Sequence, residues 1–235
     1  MEYNENRFVS YFTDKFDIGC ATLYANKVMN DDPFFNRLTN IRCKDLDKMI
    51  YDAEDIFKSI NVKPFIHCME ERLRRVLEEH NYYLFDKISV LLFESPYAIK
   101  GVKGITINKI SSDELDLWLD VYCIAFDSLK YRDELKDRLM NADLDLYIAK
   151  VKDKVAGCMA LLATKELLGL YCLGVLPEYR RLGIASSLLR YGYEHANSNG
   201  LMLFLQTFVS ENLIRYYIKH GFTQMYIKDV YSKDI

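Results

Sequence analysis

Apolar positions along this chain follow two rhythms, and the order in which they alternate predicts its architecture. Leu46, Met49, Ile50, Ala53, Phe57 and Ile60 recur at three- and four-residue steps, the period of an amphipathic helix. Asp45 stands before this run as an N-cap, and Pro64 stands beyond its end. Phe65, Ile66 and Cys68 then read as a short strand, Leu73, Val76, Leu77 and His80 as a second helix, and residues 88–93 as a strand. A turn-rich stretch at 95–104 separates this half from the next. There Val102, Ile105 and Ile107 alternate like a strand, and Ser111 with Glu114 has the spacing of a capping box. Leu115, Trp118, Tyr122 and Phe126 continue that helix, and residues 131–140 form another. Strands are expected at 146–151, 155–163 and 167–176. A helix at 184–197, a strand at 201–208, a helix at 211–220 and a strand at 222–230 complete the order. Antiparallel strands followed by a strand–helix–strand crossover predict a mixed α/β fold. The reading is of two domains, an α/β N-terminal lobe at 1–100 and a second domain at 101–235.

Composition narrows what such a fold can do. The 235 residues are 50% apolar, and 31 basic against 34 acidic residues leave a net charge of -3. With no basic excess or tail, binding to a nucleic-acid backbone is not expected. The longest apolar run, residues 167–176, falls well short of the about 20 residues that cross a bilayer. The start, Met1-Glu2-Tyr3-Asn4-Glu5, is acidic and polar, unlike a signal peptide. Six cysteines (Cys20, Cys43, Cys68, Cys123, Cys158 and Cys172) stand singly, without CxxC spacing. They imply no metal site and no disulfide framework, and reduced thiols in the cytoplasm are the expectation.

A weak internal repeat links the halves. The run from Leu73 through Arg75 and His80 to Tyr82 parallels the run from Leu213 through Arg215 and His220 to Phe222. Both are helix-then-strand units with an Arg and a His in register. Leu77 stands where the second copy has Tyr217, and no Gly-rich loop precedes the first copy. The first copy therefore reads as a structural half.

The chemistry is concentrated between the fourth strand of the second half and the helix after it. Leu173-Gly174-Val175-Leu176 runs into Pro177, which removes a ladder donor and ends the strand. The loop Arg180-Arg181-Leu182-Gly183-Ile184-Ala185 follows, and the helix starts at once, with Ser186 in its first turn. The first N–H groups of a helix lack internal partners, and its dipole adds positive potential. Gly183 admits close approach of a ligand to the main chain, and two arginines offer donors suited to phosphate oxygens. A pyrophosphate is the natural guest.

With these residues in place, the region from about 102 to 229 resembles the GNAT (GCN5-related N-acetyltransferase) superfamily. Its loop motif [QR]-x-x-G-x-[GA] is matched by Arg180, Gly183 and Ala185, and its later Tyr-x-x-x-Gly-Phe by Tyr217, Gly221 and Phe222. The resemblance implies a mixed central sheet with splayed parallel strands. It implies acetyl-CoA as co-substrate, its pyrophosphate on the amides of Arg180 to Ser186 and its pantetheine beside Leu173 and Val175. It makes Tyr217 the candidate general acid and an amine the acceptor. The family often starts the Tyr helix with Asn, where this chain has Ser210 with Asn212 nearby. The first half resembles the degenerate GNAT-like lobe that some members carry.

Three functions follow from this reading: an N-acetyltransferase acting by direct attack of a small-molecule or peptide amine, a catalytically inactive CoA-binding regulatory module, and an interaction protein whose Arg-rich turn is structural. The second draws on a missing base. Where the family often has Glu on the strand before the loop, this strand reads Leu170-Tyr171-Cys172-Leu173, leaving Glu166 and Glu178 at its two ends. Tyr216, Cys172, His195 and His220 read as structural. Phe126, Asp127, Tyr131, Asp133 and Glu134 mark the region where an acceptor would enter.

Overall fold

In the computed structural model, residues 1–95, 99 and 101–234 are described. Pro96, part of the expected domain boundary, lies outside them. The fold divides into two compact units, each built from separated stretches of chain.

The first unit comprises Met1–Phe8, Leu91–Gln206 and Ile214–Met225. Its strands β6 (Ile105–Lys109), β7 (Asp145–Val151), β8 (Lys154–Thr164) and β9 (Leu167–Val175) form an antiparallel meander. Strand β10 (Met202–Phe208) then joins β9 in parallel, after the helix α6 (Ile184–Ser198) has crossed over. Helices α4 (Leu115–Ala125) and α5 (Arg132–Leu139) precede β7. The capping box at Ser111 and Glu114 is formed at the entry to α4. Leu188, Leu189, Leu161, Leu170, Leu203 and Phe222 are among the side chains that close this unit's core. The mixed α/β class and the parallel pair read from the sequence are both present.

The first turns of the chain belong to this unit, which the sequence did not disclose. Helix α1 (Glu2–Ser10) buries Asn4, whose amide nitrogen donates to Leu162 O and Thr164 Oγ1 at 2.8 Å each. Its amide oxygen accepts from Tyr171 Oη at 2.7 Å, and Phe8 stacks on the Tyr171 ring at 3.9 Å. A buried amide with three partners is costly to delete, because each partner is left unpaired. Asn4→Ala is expected to destabilise the protein by about 3 kcal/mol. A denaturation midpoint unchanged from wild type would show that Asn4 anchors nothing.

The second unit comprises Val9–Val90, Thr207–Leu213 and Tyr226–Ile235. Strands β1 (Asp14–Asp17), β2 (Thr22–Ala25) and β3 (Arg37–Thr39) pair antiparallel. Strand β4 (Phe65–Cys68) is parallel to β3 and antiparallel to the end of β11 (Phe222–Ser232). Helices α2 (Leu46–Ser59) and α3 (Glu71–Glu79) and strand β5 (Tyr83–Phe93) complete it. The periodic positions of α2, from Leu46 to Phe57, are buried with Leu38, Ile66, Leu73 and Leu77. Asp45 caps α2 as expected, accepting from Lys48 N at 3.0 Å.

Two expectations are corrected. Cys20 and Cys43 form a disulfide, with Cα atoms 4.9 Å apart, whereas single reduced thiols were expected. Their pairing arises because Cys20 precedes β2 and Cys43 follows β3, adjacent strands that bring distant positions together. The expected helix over 211–220 is shorter: Asn212 takes a left-handed φ of 59°, and α7 spans only Ile214–Lys219.

Candidate functional site

The site is built on the parallel pair β9 and β10. Their ladder contains Met202–Leu167, Leu203–Leu168 and Phe204–Gly169, while both strands run on past it. On its other side β9 stays with β8, but the register slips between Cys158 and Ala160, whose partners are Gly174 and Tyr171. Two residues, Cys172 and Leu173, thus face one on β8, and Cys172 adopts φ 54°. This β-bulge bends the strand. The bulge lies beyond Gly169, where the ladder with β10 ends.

Beyond Val175, Pro177 opens a short 3-10 turn to Tyr179. Arg180 Nε donates to Val175 O at 3.3 Å, tying that side chain to the strand end. Arg181 has φ 64° and Gly183 φ 80°, so the loop turns twice through the left-handed region before α6 begins. For an arginine this backbone is uncommon, and such strain tends to mark ligand sites. At Gly183 it is natural, and a Cβ there would collide with the Val102 side chain. Gly183 is the N-cap and supplies no side-chain cap. The first amide bond back into the helix is Ser187 N–H to Gly183 O at 3.0 Å. The amides of Ile184, Ala185 and Ser186 precede it and have no carbonyl one turn back.

The repeat read in the sequence shows the contrast. In the second unit, Asp45 caps α2, and Asp47 in its first turn meets His80 Nε2 at 2.8 Å. In the first unit, the corresponding His220 meets the Ser186 hydroxyl at 2.9 Å, and no carboxylate stands in the first turn of α6. The head of α2 is supplied with its own negative charge, which the first turn of α6 lacks.

Leu173 and Val175 are partly buried, with Leu173 on the bulge and Val175 ending β9. Arg180, Arg181 and Leu182 are exposed, whereas Ile184 is buried and packs into the core. Tyr217 is buried on α7, its ring 5.9 Å from that of Phe222. Neighbouring Tyr216 points elsewhere, its hydroxyl 3.2 Å from Ser186 Oγ. The sequence missed that Tyr216 and His220 both reach Ser186; an i, i+4 Tyr–His pair was the only available signal.

Other groups separate from the chemistry. Glu166 lies in the turn just before β9, about 20 Å from the bulge at ~3.3 Å per residue. Glu178 is exposed on the 3-10 turn. Burial pushes the Cys172 thiol well above its ordinary range, so it is no ready nucleophile. His195 lies among Tyr147 and Tyr191, in a packing role. Ser210 is bound by Asp86, and Asn212 Nδ2 donates to Ser210 O at 2.8 Å. In the expected acceptor region, Phe126 closes α4, and its ring edge would lie 3.1 Å from a Cβ at Gly174, beside the bulge. Glu134 is engaged by Arg138 at 2.9 Å. Among the described residues no group of three or more His, Cys, Asp or Glu is assembled for a metal, and no helix is long and apolar enough to cross a membrane.

Comparison with known proteins bears on the same region. No curated protein matches the chain. Solved structures share its fold: a GCN5-related N-acetyltransferase from Kribbella flavida has TM-score 0.73 at 14% identity, covering 99% of this chain and 94% of that one. A GCN5-related N-acetyltransferase from Sphaerobacter thermophilus has TM-score 0.68 at 17% identity, covering 93% and 82%. A tandem GNAT protein from the clavulanic acid biosynthesis pathway has TM-score 0.68 at 10% identity, covering 91% and 78%. The likeness in fold thus extends over both halves of the chain. Residues 112–222, which include the bulged strand, the Gly183 loop and Tyr217, match the model of the acetyltransferase (GNAT) family. Residues 112–222 of this chain are thus a domain of the GNAT family, as far as that match extends.

Proposed function

We propose that the protein transfers an acetyl group from acetyl-CoA to a primary amine of a small molecule or peptide, by direct attack within residues 101–235. The single observation that carries this reading is the pairing of a splayed, bulged β9 with the uncapped, Gly183-led start of α6. The amides of Arg180 to Ser186 would take the pyrophosphate, with Arg180 and Arg181 adding charge. Main-chain groups at Leu173 and Val175, on the stretch of β9 beyond its ladder with β10, would pair with pantetheine and leave the thioester near the bulge. The second unit, which holds most of residues 1–100, would contribute shape and no second cofactor site.

The chemistry asks for a neutral amine and a protonated leaving thiolate. Freeing an alkyl amine of pKa ~10.4 at pH 7 costs about 4–5 kcal/mol. With Glu166 remote and Glu178 exposed, the protein would select the neutral amine or pass its proton to water. A phenol of pKa ~10 can protonate a thiolate whose conjugate acid lies near ~8.5, and Tyr217 is the residue assigned to that step.

Titration calorimetry with acetyl-CoA, followed by thiol release across a panel of amines, tests the proposal. Binding together with amine-dependent thiol release is the expected result. Binding without release under any amine would favour an inactive CoA-binding regulatory module, and no binding would overturn both readings.

A further inference from the structure

Three side chains at the head of α6 form a directed hydrogen-bond chain. His220 Nδ1 lies 2.7 Å from Tyr216 O. A carbonyl only accepts, so Nδ1 carries a hydrogen and, in the neutral ring, Nε2 is the bare acceptor. Ser186 Oγ stands 2.9 Å from Nε2 and must spend its one proton there. The Tyr216 hydroxyl, 3.2 Å from Ser186 Oγ, then donates to it. Burial pushes the Tyr216 phenol up, so it keeps its proton at neutral pH. With the imidazole neutral, Ser186 has only a lone pair left to offer a ligand.

A phosphate oxygen is an acceptor, and a lone pair repels it. We infer that His220 and Tyr216 are positioning residues of the cofactor seat, and that phosphate binding there is coupled to uptake of one proton by His220. This rests on the reading of the Arg180 to Ser186 segment as the CoA pyrophosphate site. On binding, a solvent proton adds to Nε2, and Nε2–H donates to Ser186 Oγ. Tyr216 continues to donate to that oxygen, and the Ser186 O–H swings to the phosphate. Every donor hydrogen of the trio is then used. The imidazolium is favoured by the pyrophosphate in front of it and by the carbonyl end of α7 behind it. The ionisable group in ring contact with it is the Tyr216 phenol of its own helix, with centroids 4.2 Å apart. The first turn of α6 brings Ile184, Ala185, Ser186 and Ser187, none of which titrates, and Lys219, the preceding residue, is exposed.

The test is calorimetric titration with CoA at one neutral pH in two buffers of different ionisation enthalpy, repeated across pH, with pantetheine as the probe lacking phosphate. Wild type is expected to take up a fraction of a proton per CoA and none per pantetheine. Its CoA affinity should fall by up to about tenfold per pH unit as the bound histidine loses its proton. His220→Gln and Ser186→Ala should each bind CoA without the extra uptake and with a flatter pH profile. Ser186→Ala leaves the imidazole in place, so it carries the test if His220→Gln fails to fold. Uptake equal to wild type in a folded variant, or CoA binding by wild type without uptake, overturns the inference alone. Failure of wild type to bind CoA overturns the pyrophosphate reading beneath it.

Discussion

Under the proposed function, Gly183→Glu is expected to weaken CoA binding by at least about a hundredfold, or about 3 kcal/mol. Two effects add. The residue sits at φ 80°, where any Cβ is strained, and that Cβ would drive into Val102. The added carboxylate would also place a negative charge at the head of α6, where the proposed pyrophosphate must sit. Gly183→Ala separates the two, since it carries the strain of about 1 kcal/mol without the charge. Calorimetry on both variants, with their melting curves, reads the difference. A folded Gly183→Glu that binds CoA as wild type does would show that the loop is not the phosphate seat.

Tyr217→Phe is the second large effect. It removes one oxygen from a buried side chain and leaves the ring packing with Phe222 intact. If the phenol protonates the departing thiolate, kcat should fall about a hundredfold, within the usual range for a general acid, while acetyl-CoA affinity holds. A thioester with a more acidic thiol should lose less, because its leaving group needs the proton less. Equal turnover for Tyr217→Phe and wild type would return Tyr217 to the core. A fall in affinity with kcat preserved would make it a binding residue.

The site was readable in part because its local rules act over a few residues. A strand that ends at Pro177, a left-handed Gly183 and an immediate helix leave traces within one short stretch of sequence. The capping box at Ser111 and the cap at Asp45 were legible for the same reason. The strands β1, β2 and β3 were not, being three or four residues long and too short to show alternation. Strand β5 was read only over residues 88–93, because its first residues, Tyr83 to Phe85, are exposed and break the pattern.

Periodicity, capping and turn chemistry by themselves determined the order of elements from α2 onward, the mixed α/β class and the strand–loop–helix turn at Gly183, since each depends on neighbours in the chain. Tertiary structure alone decided that Asn4 locks to Leu162, Thr164 and Tyr171, and that Cys20 reaches Cys43. It also decided that β9 bulges at Cys172, and that Ser186 Oγ meets His220 Nε2. These depend on which strands lie side by side and which helix ends meet, and burial of the whole core selects among such pairings where local preference is silent.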